Sequence, residues 1–258
     1  MSGGGASRSL KAFTLAEVLI TLAIIGVVAA LTIPSVITNY KNQETATKLK
    51  KTFSTLANIT NLAIAEHGPI KSWDIFGERH SGSAAKDFAD KYMIPYLKVT
   101  KNCGYEVQKG CWYEEGNYAT WLNGSQMITS EIESKVTKFV LSDGTFIMFQ
   151  ISENDATNKI ADIFVDINGF KKPNKVGRDI FVFRYIILKN GEPKGRLTTH
   201  GLKQKVKNIV NSSGNCCNTS ESGLYCSGLI YLSGWKIPSK KEYNEIVGND
   251  SYSSKYPW

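Results

Sequence analysis

Residues 13–33 read FTLAEVLITLAIIGVVAALTI, an apolar run of twenty-one residues whose only charge is Glu17. Coiled as an α-helix at about 1.5 Å per residue, such a run is long enough to cross the roughly 30 Å hydrocarbon core of a bilayer. A helix apolar all round needs lipid or other helices about it, so this segment limits what the chain can become. The rest is ordinary. Over 258 residues, 42% are hydrophobic and 21% charged, with a slightly negative mean hydropathy. That balance excludes a polytopic membrane protein and a largely disordered chain.

Three readings compete for the segment: a secretory signal peptide, a plain anchor, and a processed leader followed by an assembly helix. Val28 and Ala30 form a small-x-small pair that would direct signal cleavage before Leu31. Against that, the run is longer than an ordinary signal core, and a discarded leader has no use for a carboxylate that is costly in hydrocarbon. Lys41, Lys48, Lys50 and Lys51 outnumber Arg8 and Lys11 across the run, so charge counting alone favours the opposite orientation. The cysteines, all C-terminal to the run, favour export of the larger part of the chain.

The string Lys11-Ala12-Phe13-Thr14-Leu15-Ala16-Glu17, continued by VLITLAIIGVVAALTIPSVI, resembles the N-terminus of type IV pilins and type II secretion pseudopilins. Ala12 stands where that family usually has glycine. The resemblance implies cleavage between Ala12 and Phe13 by prepilin peptidase on the cytoplasmic face, and N-methylation of Phe13. It makes Glu17 and Pro34 assembly residues, Pro34 matching the proline that kinks the pilin helix. It also implies a structural subunit: single-pass in a bacterial inner membrane with its head extracytoplasmic, then part of a cell-surface or periplasmic filament. The implied partners are copies of itself or related pilins and the inner-membrane assembly machinery. Physics agrees on Glu17, because docking the cationic Phe13 amine of one subunit against it would neutralise two buried charges at once. The alternative is a membrane-anchored extracytoplasmic binding protein, for adhesion or DNA capture, that never polymerises.

The implied organisation is a leader over 1–12, a long helix over 13–66 and a globular head over 67–258. Within the helix, 13–33 is the membrane-spanning part. Residues 34–66 are amphipathic, with Leu49, Phe53, Leu56, Ile59 and Ala63 at helical spacing. Pro34 should stop or bend the helix, and Gly68-Pro69 should end it. A short helix is expected over 84–92. Apolar, β-rich runs at 137–141, 145–151, 160–167 and 180–188 predict an antiparallel meander. Residues 208–221 read as a polar Ser/Asn-rich loop. The fold class is α+β: a long N-terminal helix packed against an antiparallel β-sheet head, pilin-like in arrangement.

Asp166, Asn168, Asn174 and Asp179 lie between two predicted strands and carry the oxygens a hard cation such as calcium accepts. Some pseudopilins hold calcium in a late β-loop, whereas Asx and glycine turns explain the same letters without a metal. Cys103 and Cys111 bracket a short loop and are expected to pair; Cys226 is expected to pair with Cys216 or Cys217. Trp112, Trp121, Trp235, Tyr256 and Trp258 serve either core or contact. The net charge of +8 admits DNA as a partner, though no compact basic run with interleaved aromatics is present. No nucleophile, metal or phosphate-loop motif of an enzyme appears, and His67, His80 and His200 lack obvious sequence partners. The expectation is a non-enzyme.

Overall fold

The computed structural model describes residues 14–73, 78–114, 116–127, 133–154, 158–188, 195–202, 206–211, 214–247 and 256–258. The chain divides into two compact units, Met1–Lys41 and Asn42–Trp258. Helix α1 (Leu15–His67) contributes to both, and it continues through Pro34. Within the first unit its apolar side chains are exposed, from Leu15 at 77% to Leu31 at 75%. Hydroxyls along this stretch turn back onto the helix: Thr32 donates to the Val28 carbonyl, Ser35 to Thr32 and Thr38 to Pro34.

In the second unit α1 becomes one-sided. Ala46, Leu49, Thr52, Leu56, Ile59, Thr60 and Ala63 are buried and recur every three or four residues. Gly68, at φ +80°, makes the left-handed turn that stops the helix, and its N–H closes on the Ile64 carbonyl at 2.9 Å. Helix α2 (Gly82–Tyr92) comes next, capped by Ser81, whose hydroxyl accepts from Ala84 N–H.

Six strands then form one antiparallel sheet in sequence order: β1 (Val99–Gly104), β2 (Thr137–Leu141), β3 (Phe146–Asn154), β4 (Asn158–Asp166), β5 (Ile180–Leu188) and β6 (Arg196–Thr199). The four runs expected from sequence are β2 to β5. The two edge strands are not visible as apolar runs, because VTKNCG and RLTT are short and polar. Helices α3 (Val206–Asn211), α4 (Cys226–Leu232) and α5 (Lys240–Val247) complete the head. The polar stretch 208–221 is therefore not all loop, since α3 takes its first residues.

Register sorts the side chains of the central strands onto two faces. Phe149, Ile163 and Phe183 align across β3, β4 and β5, as do Met148, Phe164 and Val182 one residue away. The first row joins the core with Leu49, Leu56, Ile59, Phe88 and Tyr185. Phe53 meets Phe183 at 5.3 Å between centroids, Phe88 stacks on Phe149 at 4.5 Å, and Thr60 Oγ1 and Tyr185 OH share a buried hydrogen bond of 2.7 Å. The second row lies under Tyr113, Ala119, Met127, Val136 and Val176 in a smaller cluster. Burial on both faces explains why these strands read as nearly continuous apolar runs.

Leu56 is fully buried beneath this sheet. Leu56→Ala should lower the stability of the head by about 2–5 kcal/mol, measured by denaturant unfolding of the detergent-solubilised chain, with near-ultraviolet circular dichroism as the probe. A loss below about 1 kcal/mol would contradict packing of α1 on the sheet.

Candidate functional site

Ala12 and Phe13 lie outside the described residues. Glu17 is within them, and the structure shows a use for it that its charge alone does not reveal. The Thr14 N–H and Thr14 hydroxyl each donate to Glu17 Oε2 at 2.8 Å, and the Glu17 N–H donates to Thr14 Oγ1 at 3.2 Å. This is a capping box: residue three of the first turn and the N-cap satisfy each other's donors. Thr14-x-x-Glu17 is that pattern in the sequence. Both Thr14 donors fall on one oxygen, and among the described residues Glu17 Oε1 accepts nothing. Beyond it, the exposed apolar side chains are those of a helix long and apolar enough to cross a membrane. Pro34 has no N–H to give to the carbonyl one turn earlier, while its own carbonyl accepts from the Thr38 hydroxyl at 3.0 Å.

The four predicted cation ligands converge in the loop between β4 and β5. Asp166 is fully buried at the end of β4, accepting from Tyr113 OH at 2.9 Å and from Asn168 N–H at 3.1 Å. Asp179 closes the loop from the other side, taking Lys175 N–H at 2.7 Å and Asn174 N–H at 2.9 Å, and the Asn168 amide also bonds it. The Asn174 amide nitrogen reaches the Asn117 carbonyl at 3.1 Å. Burial, together with the charge of Asp179, pushes the Asp166 carboxyl well above the usual range. Burial also raises Asp179, against the pull of its N–H donors. Asn168 Oδ1 and Asn174 Oδ1 are buried without a hydrogen-bond partner. Two carboxylates and two unbonded amide oxygens suit a hard cation, although the carboxylates already serve as the closure of the loop. Among the described residues no group of three or more His, Cys, Asp or Glu is placed to hold a metal, so an ion here would depend on the amides.

Cys103 is joined to Cys111 and Cys217 to Cys226, with α-carbons 5.7 and 4.7 Å apart. Of the two candidates for Cys226 the structure chooses Cys217. Cys216 keeps its thiol, buried, with Sγ donating to the Asn208 carbonyl at 3.3 Å. The aromatics are packed: Trp112 and Trp121 against the smaller cluster, Trp235, Tyr256 and Trp258 against the larger.

Comparison with known proteins gives two family matches. Residues 8–33 match the model described as the prokaryotic N-terminal methylation motif, the prepilin-type cleavage and methylation signal of type IV pilin-like proteins. Residues 35–244 match the model described as a family of unknown function, DUF6613. No curated protein and no solved structure matches the chain.

The histidines have structural surroundings. His67 Nε2 lies 3.2 Å from Tyr96 OH, and the His80 N–H donates to the Ile151 carbonyl. His200 comes directly after β6, 7% exposed, edge-on to Tyr225 at 5.0 Å, with Nδ1 unpartnered. Beside it runs a polar row that strand periodicity does not single out. Gln150, Asp162, Arg184 and Thr198 are aligned across β3 to β6, and Arg184 Nη2 contacts Asp162 Oδ1 at 2.8 Å. Burial, then the nearby Arg184 charge, depresses His200 to about 4. A histidine depressed in the folded state is protonated first in the unfolded chain. Its contribution is therefore intact above about pH 6.5 and is lost as pH falls toward 4. Relative to His200→Phe, the wild-type head should lose about 3 kcal/mol over that window, read from unfolding midpoints at stepped pH. Parallel pH profiles for the two proteins would refute it.

Proposed function

The chain belongs to the DUF6613 family and is type IV pilin-like or pseudopilin-like at its N-terminus, and from this we infer that it is a structural subunit of a pilus or secretion-type filament. The observation that carries the reading is the methylation motif running directly into a helix whose apolar side chains its own chain leaves exposed. In this reading prepilin peptidase cuts between Ala12 and Phe13, and Phe13 is methylated. The subunit waits in the inner membrane with its disulfide-bonded head outside. Lateral packing of α1 with related subunits then replaces lipid by helix, and contacts that repeat without closing build a filament. In this reading the head's part is structural.

Glu17 has two duties here. Oε2 holds the capping box, and Oε1 accepts the cationic Phe13 amine of a neighbour. The duties separate experimentally, because glutamine preserves a capping box and removes the charge. Glu17→Gln should insert into the membrane and be processed normally, yet fall at least tenfold in the sheared filament fraction. Glu17→Ala should lose both cap and charge and fall as far. Wild-type yield of sheared filaments from Glu17→Gln would leave the carboxylate with the cap alone. Wild-type protein wholly absent from the sheared fraction would favour the anchored, non-polymerising binder.

For the loop between β4 and β5 we propose a structural calcium ion, held by the carboxylates of Asp166 and Asp179 with Asn168 Oδ1 and Asn174 Oδ1. Its contribution would be charge: it offsets two buried carboxylates whose ionisation at neutral pH opposes folding. Millimolar calcium should then raise the melting temperature of the wild type at pH 7 by several degrees, corresponding to about 3 kcal/mol at a hundredfold excess over Kd. Chelator should reverse the rise, and Asp179→Asn should abolish it. Identical melting with calcium and with chelator would leave the cluster as loop closure.

A further inference from the structure

Five Asn-x-Ser/Thr triplets occur in the chain, starting at Asn58, Asn123, Asn211, Asn218 and Asn249. Such triplets are the acceptor pattern for N-linked saccharides and arise often by chance, so the fold has to discriminate among them. Asn58 sits within α1, and its triplet's hydroxyl, on Thr60, is buried against Tyr185. Asn218 is buried, with its amide nitrogen committed to the Val210 carbonyl at 2.7 Å. Asn249 lies outside the described residues, as does the Asn211 side chain.

Asn123 is different in each respect. Asn123, Gly124 and Ser125 are exposed in sequence on one tight turn. Gly124 N–H donates to the Trp121 carbonyl at 2.9 Å, and Trp121 N–H to the Ser125 carbonyl at 2.8 Å. The turn is pinned from behind by Leu122 N–H on the Ser222 carbonyl and Asn123 N–H on the Glu221 carbonyl. Gly124 has φ +88°, and a Cβ built on it would meet nothing within 4 Å, so the space beside the asparagine is open. The side chain is also oriented. Ser125 N–H and Ser125 hydroxyl both donate to Asn123 Oδ1, at 3.0 and 2.7 Å. That fixes the oxygen and leaves Nδ2 without a hydrogen-bond partner among the described residues.

We propose that Asn123 Nδ2 is a glycan acceptor, modified from a polyprenyl-diphosphate-linked saccharide by a membrane-bound transferase. The proposal rests on the reading that the head is exported. In the transfer, Nδ2 gives one proton to a base of the transferase and bonds the anomeric carbon. The bond from that carbon to the diphosphate oxygen breaks, and the polyprenyl diphosphate leaves with the electron pair. An amide nitrogen is a poor nucleophile because its lone pair is shared with the carbonyl. As the nitrogen loses its proton, negative charge gathers on Oδ1, where two donors already converge to stabilise it. Ser125 is therefore a positioning residue for the amide, and threonine should replace it.

The test is intact mass and peptide mapping of the full chain purified from its native membranes, as wild type, Asn123→Gln, Ser125→Ala and Ser125→Thr. The expected result is a saccharide mass on the wild-type peptide containing Asn123. It should be absent from Asn123→Gln, reduced at least tenfold in Ser125→Ala and retained in Ser125→Thr. A wild-type Asn123 peptide found only at its unmodified mass overturns the proposal, as does a saccharide confined to other residues. The same spectra report the N-terminus and so keep the two readings apart. A start at methylated Phe13 with bare Asn123 overturns the acceptor site alone. A start at Met1 with a saccharide on Asn123 overturns the processing alone.

Discussion

Burying β3, β4 and β5 on both faces takes water away from their side chains and backbone, so each polar group left there must find its partner inside the protein. The head is organised around meeting that demand. On one face α1 and α2 supply the cover, and the hydroxyls that remain, Thr60 and Tyr185, bond each other. On the other face the cover is irregular chain, and polar groups hold it down. Lys138, fully buried on β2, donates to the carbonyls of Tyr105, Glu106 and Glu133, which ties two separate segments to the sheet. Tyr113 reaches Asp166, and the Cys103–Cys111 bridge closes the chain between them. Farther along β3 to β5 the apolar row gives way to Gln150, Asp162 and Arg184, and the half-buried Arg184 pairs with the buried Asp162 carboxylate, which would otherwise lack a counter-charge.

The parts of this arrangement that the sequence disclosed are those set by periodicity. Leu49, Phe53, Leu56, Ile59 and Ala63 announce a one-sided helix by spacing alone, and the apolar runs of β2 to β5 announce buried strands. Their connection as a meander comes from short turns such as Ser142-Asp143-Gly144. The edge strands β1 and β6 were illegible because an edge needs only backbone pairing, which leaves no side-chain signature. Helices α3 to α5 were illegible for a related reason. They are six to eight residues long, too short for helical periodicity to stand out, and depend on packing for their existence. The acidic loop was half legible: composition located Asp166, Asn168, Asn174 and Asp179. That Asp179 would receive the N–H groups of Asn174 and Lys175 depends on backbone geometry. Pairing of Cys217 rather than Cys216 with Cys226 depends on which face of the chain each neighbour presents.

Titration within the head runs in two directions, and both arise from the same burial. Removing water disfavours whichever form is charged, so it raises Asp166 and Asp179 and lowers His200. The carboxylates oppose folding while ionised and stop doing so as pH falls through their raised values. His200 opposes folding once protonated. Mild acid therefore relieves the two carboxylates and burdens the histidine, and net acid sensitivity alone would attribute neither effect. Comparing single variants against wild type is what separates them.

The first unit obeys a different rule. Apart from the carbonyl one turn before Pro34, its helix satisfies its backbone largely by itself, through intrahelical bonds, hydroxyls turned onto carbonyls, and the Thr14–Glu17 cap. What it leaves undone is apolar: the large apolar side chains from Leu15 to Ile37 are exposed among the described residues. A backbone bonded largely within itself, with side chains that lack cover, is the condition for stability in lipid. It is equally the condition for packing against like helices, so nothing apolar in this segment decides between the two surroundings. The deciding group is the remaining oxygen of Glu17. Lipid tails give Oε1 no donor, whereas in the filament we propose a neighbouring subunit would bring a cationic N-terminus to it. A filament made from such helices would therefore draw its cohesion from the apolar surface and its register from one oxygen, while the head, complete in its own core, goes wherever the helix is placed.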